Sequence, residues 1–224
     1  VARSGRATSG AAAANVASTG QKFFLEQKKK ADDVRVTEQK AKVAGEANRL
    51  LYDPEVGALN KKGKDALNVD EAVFNEFDKK TGEMEVEMSG DYQREEFAKA
   101  RSSYREDMRK ELNRHISNEG RKYDEEVTNG LVSNERTAAA VSYLDSERVN
   151  KSITEQTKAL TSYAERNGHG EEWTKQKVRE ATSKTHQAVL TRMLTNNQSP
   201  LAKDYFAKVR DSMDPKDADD IGKA

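Results

Sequence analysis

Three histidines set among abundant carboxylates are the residues best suited to chemistry in this chain. His115 and Glu119 stand one turn apart on a helical stretch, a spacing at which two side chains can share a metal ion. No third or fourth ligand follows at matching spacing, so the pair reads as a partly exposed histidine beside a surface carboxylate. His169 lies between glycines, and His186 lies among Thr, Lys and Gln. Neither has the serine elbow or acidic partner of a nucleophilic triad. A glycoside-cleaving pair would need one carboxyl kept protonated by apolar surroundings. Glu171-Glu172-Trp173 comes nearest, and it reads better as the acidic first turn of a helix, where carboxylates favour the dipole. The chain has no GxxxxGK[ST] loop and no GxGxxG turn. The sequence therefore predicts no catalytic residue, no cofactor, no metal site and no enzymatic role.

Charge narrows the field further. The 224 residues carry 39 basic and 39 acidic side chains, so the net charge is +0. That balance argues against a whole-protein grip on nucleic acid or anionic lipid. Lys28-Lys29-Lys30 and Asn60-Lys-Lys-Gly-Lys64 are local basic runs that can touch phosphate. Asp32, Asp33 and Asp65 dilute them, which favours solvated helix faces. The tyrosines at 92, 104, 123, 143 and 163 suit amphipathic packing with a wet hydroxyl better than base stacking. Cysteine is absent, which excludes disulfides and thiolate zinc sites. No apolar run reaches the ~20 residues of a membrane-spanning helix.

The elements that must position these residues are helices. Only 34% of residues are hydrophobic and 35% are charged, with a mean hydropathy of -0.99. Mixed charge at helical spacing supports i,i+4 pairs, while the thin apolar content cannot cover one large shared core. These features predict an all-α, elongated arrangement of long antiparallel helices and helical hairpins, resembling an α-solenoid at its C-terminal end. Residues 1–14 read as a flexible leader, 15–145 as a long-helix domain with a central loop at 52–63, and 146–224 as a helical-hairpin domain. The Val1-Ala2-Arg3 start suggests a piece of a longer polypeptide or a processed product.

Within the long-helix domain, a first helix to Leu51 has the stripe Phe23/Phe24, Ala31, Val34, Ala41, Ala44 and Asn48/Leu51. A short helix to about Lys80 should stop at Thr81-Gly82. Glu83 to Met88 alternates acidic and apolar residues and reads as loop or helical continuation. The longest helix opens at Ser89-Gly-Asp91, with the stripe Phe97, Tyr104, Met108, Leu112, Ile116, Tyr123, Val127, Leu131, Ala138, Val141 and Leu144. Ile116, Val127, Ala138 and Val149 fall eleven apart, which predicts a nearly straight seam, and Gly130 predicts a break. Asp145-Ser146, Gly168, Asn196-Asn197, Ser199-Pro200 and Asp214-Pro215 punctuate the last third as caps and stops.

The central loop is the most individual stretch. Leu50 and Leu51 close one helix, Tyr52-Asp53-Pro54 turns, and Gly57 and Gly63 are expected to supply positive φ before the next helix. Asn48-Arg-Leu-Leu-Tyr-Asp-Pro-Glu-Val-Gly-Ala-Leu-Asn-Lys-Lys-Gly-Lys-Asp-Ala-Leu67 resembles a segment of helical virion proteins of tailed bacteriophages, of the internal-virion, ejection or tail-associated kind. Gln93-Arg-Glu-Glu-Phe97, His186 to Leu194 and Ala202 to Phe206 are similar to later parts of that pattern, over residues 40–215. The murein-cleaving domain such proteins can carry has no counterpart here. The resemblance implies a structural domain of a phage particle, made in the bacterial cytoplasm and partnered by other virion proteins or by further copies of itself. Phe23, Phe24 and Leu51 are the expected interaction residues, and Tyr52, Asp53, Pro54, Gly57 and Gly63 the structural loop. The alternatives are a DNA-contacting ejection protein and a non-catalytic part of a cell-wall hydrolase.

Overall fold

The computed structural model describes residues 7–222, with side chains from Thr19 onward. The chain is all-α: 87% helical, in seven helices, with no strand among the described residues. These are α1 (Ala7–Tyr52), α2 (Val69–Glu85), α3 (Asp91–Val141), α4 (Ser146–Asn167), α5 (Glu171–Thr195), α6 (Ser199–Val209) and α7 (Pro215–Gly222). The leader expected over 1–14 lies outside the residues whose side chains are described, and α1 is traced from Ala7. Charged residues one turn apart pair along the helices, as Lys99 does with Glu95 and Glu96, and Lys175 with Glu171 and Glu172. Pairs this exposed contribute little to stability each, because solvent screens them and two long side chains must be ordered.

Two compact units make up the chain, residues 1–119 and 120–224, so the boundary expected after 145 falls inside the second. The first unit packs the C-terminal part of α1, α2 and the start of α3 around Val43, Leu50, Leu51, Phe77, Phe97, Met108 and Leu112. The buried face of α1 is Val36, Gln39, Val43, Ala47 and Leu50, which corrects the expected stripe: Val34 is 69% exposed and Ala41 is also exposed. A polar residue holds that face because Gln39 Nε2 donates to Glu87 Oε2 at 2.9 Å. Helix α2 runs through Thr81-Gly82 to Glu85, past the expected stop. Thr81 is buried and its hydroxyl donates to the Phe77 carbonyl at 2.7 Å, so the residue serves the helix interior instead of its end. Residues 83–85 continue the helix, and Met88 then turns into the core.

In α3 the stripe holds from Phe97 to Ile116 and then slips by one position. Thr128, Val132 and Ala139 are buried, while Val127, Leu131, Val141 and Leu144 are exposed. No eleven-residue seam forms, and the helix passes through Gly130 unbroken. The second unit pairs α4 and α5 antiparallel through Leu160 with Ala181 and through Gln156 with Thr185, whose hydroxyl donates to Gln156 Oε1 at 3.0 Å. Val149, Val189, Leu190, Met193, Met213 and Ala218 join α6 and α7 to this pair.

Caps in this unit follow the sequence closely. Asp145 Oδ1 accepts from the Arg148 N–H at 3.0 Å, and Gly168 closes α4 at φ 70°. The cap of α6 is Gln198, one residue before the expected Ser199, which puts Pro200 in the first turn. Asp214 accepts from the Lys216 N–H at the start of α7.

Candidate interaction surface

Helix α1 joins the first unit at Asp32 and Asp33. Tyr92 Oη donates to Asp33 Oδ1 at 2.6 Å, and Gln93 Nε2 donates to Asp32 Oδ1 at 2.7 Å. The Asp33 contact also holds the Tyr92 hydroxyl protonated to higher pH than usual. N-terminal to this junction every residue from 19 to 31 is exposed. A helix lying on a core buries one face, so thirteen consecutive exposed residues mark a stretch with no core to lie on. Three of them are large and apolar: Phe23, Phe24 and Leu25 are 63%, 67% and 62% exposed. Burying each would gain about 1.5–3 kcal/mol. Lys22, Lys28, Lys29 and Lys30 flank them against a single Glu26. Leu51, expected to share this face, is instead 4% exposed and belongs to the core.

The central loop is built around Asp53. Its carboxylate accepts from the Glu55 and Val56 N–H groups at 2.9 and 3.1 Å, which holds it below the usual carboxylate range. Its carbonyl accepts from Gly57 N at 2.8 Å and from Asn60 Nδ2 at 2.6 Å. Gly63 has the expected positive φ, 51°. Gly57 does not: its φ is -61° and ψ 132°, angles open to any residue. Glycine is needed there for space instead, because a Cβ would sit 2.5 Å from the Asp53 carbonyl and 2.8 Å from that of Leu51. Tyr52 is exposed and Pro54 lies in the turn.

His115 and Glu119 turn out to be the anchors of this loop. His115 Nε2 lies 2.9 Å from the Lys61 carbonyl, to which it donates, and the buried Glu119 accepts from the Gly63 N–H at 3.0 Å. Their one-turn spacing matches one carbonyl and one N–H of the loop, those of Lys61 and Gly63. No group of three or more metal-ligating side chains lies together among the described residues. Within the same set no helix is long and apolar enough to cross a membrane.

The remaining candidates lie in the second unit. His169 stacks on Trp173 with ring centroids 4.0 Å apart and planes 10° apart, and Tyr163 lies 5.6 Å from His169. The sequence reading missed this trio, although His169 and Trp173 are four residues apart across the α4–α5 turn. Tyr163 and Trp173 border a cleft of about 200 Å³ with Glu125, Thr128 and Asn129. Burial, then the charges of Glu125 and Asp124, push the Tyr163 hydroxyl up. Glu171 and Glu172 are exposed in the first turn of α5.

His186 is buried, its Nδ1 2.8 Å from Tyr205 Oη. Desolvation pushes the imidazole down to about 4 and the phenol up to about 12, so both are neutral at pH 7. Such a pair satisfies the polar groups of both side chains inside a core. Of the residues singled out from sequence, the structure gathers Asp53, Gly57 and Gly63 into one loop and leaves Phe23 and Phe24 outward, away from Leu51. Comparison with known protein families, with characterised proteins and with solved structures finds no match.

Proposed function

We propose that this chain is a non-enzymatic assembly domain of a tailed-bacteriophage particle, made in the host cytoplasm, that acts by docking helices on other virion chains or on further copies of itself. The observation that carries the docking reading is the α1 stretch 19–31, exposed all round and bearing Phe23, Phe24 and Leu25. Contiguous apolar exposure of this kind marks an interaction surface. A helix of this length without a core is also marginal in water, so the stretch gains most from a partner. The phage context rests on the resemblance of the Asn48–Leu67 turn, whose glycines, Asp53 and anchors all have a structural use.

The test is the mass of the full chain in solution, alone and with candidate virion proteins, for the natural sequence and for Phe23→Glu with Phe24→Glu. Association that the double variant loses, with its helicity intact, is the expected result. A double variant that unfolds would place the phenylalanines in an internal core and end the docking reading. Steeply salt-dependent retention of duplex DNA that disappears with Lys28 to Lys30 would favour the DNA-contacting alternative.

A further inference from the structure

The cleft beside Tyr163 and Trp173 has two unlike walls, both within residues 120–224. Helix α3 supplies the polar wall. Glu125, Thr128 and Asn129 stand three and four residues apart, which puts all three side chains on one helix face. None of them makes a side-chain hydrogen bond or ion pair among the described residues. Thr128 is the telling one, because it is only 5% exposed and yet its hydroxyl has no partner. Thr137, Thr154 and Thr157 give their hydroxyls to the carbonyl one turn back, and Thr128 does not. A buried hydroxyl without a partner costs free energy, so a ligand that bonds to it recovers that cost.

The opposite wall is aromatic. Tyr163 from α4 and Trp173 from α5 lie with ring centroids 5.8 Å apart and planes tilted by 32°. His169 stacks on Trp173 without lining the cleft, so it backs the indole and leaves the other side open. Lys177 joins the lining, its ammonium drawn to Glu180 Oε2 at 2.9 Å. One carboxylate and one ammonium leave the lining with no net charge. Its volume is about 200 Å³. An apolar cavity of about 150 Å³ takes up benzene, so this cleft has room for a single six-membered ring.

We infer that the cleft holds one neutral pyranose ring of a sugar. One side of such a ring is made of C–H bonds, slightly positive, which meet the negative face of an aromatic ring. Its rim carries hydroxyls that both donate and accept, and these match a carboxylate, a hydroxyl and a carboxamide together. An aromatic wall with a few placed polar groups is the usual build of a small-molecule site. A quaternary ammonium ion would use the rings and Glu125 but leave the buried Thr128 hydroxyl unanswered. An anion would face Glu125, and a wholly apolar ligand would leave all three polar groups unpaired. The site is separate from residues 19–31 and needs nothing from the docking reading.

Trp173 is the one tryptophan, so its emission reports on the cleft directly. The experiment titrates the full chain with the methyl glycosides of glucose, galactose, mannose and N-acetylglucosamine. Glycerol, tetramethylammonium and inorganic phosphate serve as comparisons. At least one glycoside is expected to shift the emission saturably, while the acyclic polyol and the two ions do not. Saturation-transfer NMR of that glycoside should be strongest at the ring hydrogens of its apolar side. Glu125→Ala with Asn129→Ala changes exposed positions and is expected to weaken binding about tenfold with helicity unchanged. Thr128→Val keeps the side-chain shape, removes only the hydroxyl and is expected to weaken binding about threefold.

No saturable response to any of the glycosides would overturn the proposal. So would a response to glycerol as large as theirs, tighter binding of tetramethylammonium, or glycoside binding untouched by both sets of substitutions. None of these results would alter the mass measurements on Phe23 and Phe24, so the two readings stand or fall separately.

Discussion

At Gly57 the backbone angles are ordinary and the surroundings are not. The Asp53 N and O atoms and the Leu51 carbonyl all lie within 2.8 Å of where a Cβ would be, and all three are backbone. None can swing aside as the end of a flexible side chain would. Gly57→Ala is expected to cost about 1–3 kcal/mol, and Gly57→Val more, against little for Lys61→Ala. Chemical denaturation midpoints of the three variants check this, and equal midpoints would refute it. From sequence a positive φ was the natural reason for a glycine here; a close approach between residues 51 and 57 shows only once the turn is folded.

His186 makes a second residue-scale prediction. Its imidazole titrates near 6.5 when unfolded and near about 4 when buried, so between these values the unfolded chain binds a proton that the folded chain refuses. Stability is full above pH ~6.5 and falls as pH drops towards about 4, by up to about 3 kcal/mol. Asp53 and Asp124 are held below the ordinary carboxylate range, so their contribution is lost at lower pH and does not obscure this window. Urea melts followed by Trp173 fluorescence should show the slope in the natural chain and a flatter one in His186→Leu. Identical slopes would sink the assignment.

At the scale of elements, the ends were more legible than the faces. Asp145, Gly168 and Asp214-Pro215 act within a few residues of themselves, and local chemistry is what a sequence displays. Faces depend on partners far along the chain. Gln39 is buried on α1 because Glu87 reaches it, and Thr128 is buried on α3 where Val127 would have been the apolar choice. With so few strong core formers, helices α1 to α5 each bury some polar residues, and the apolar period alone then points to the wrong side by one position in α3. Gly130 was expected to break α3 and does not. It has nothing within 4 Å of a built Cβ and lies exposed in a continuous helix. Gly130→Ala should therefore stabilise the second unit by about 0.5–1 kcal/mol. A lower melting temperature for that variant would show that the glycine has a contact of its own.

Across the whole molecule, apolar residues are divided between separate cores, one in residues 1–119 and others in 120–224. Phe97 is fully buried in the first, and Phe97→Ala should remove about 3–5 kcal/mol from it. Trp173, the one tryptophan, reports on the second. Far-ultraviolet circular dichroism, which sums all helices, should then melt in two steps in Phe97→Ala, with the Trp173 transition unmoved. A single transition shifted equally in both signals would mean that the two units fold as one. The anchors His115 and Glu119 belong to this scale too. Read as neighbours in a line they looked like metal ligands or an idle surface pair; their use appears only when Lys61 and Gly63 come back over α3.

The all-round exposure of residues 19–31 also decides how the chain meets a protease. Amide hydrogens in that stretch are guarded only by the local helix, so they exchange and open far more readily than those beyond the Asp32–Gln93 and Asp33–Tyr92 junction. Lys22, Lys28, Lys29 and Lys30 are trypsin sites placed where opening is easiest. A brief digestion would clip the chain there first, and cleavage after Lys28, Lys29 or Lys30 leaves a product with its cores whole and no phenylalanine pair. Docking the pair would shield those same lysines, so the time taken to lose the end is itself a gauge of occupancy.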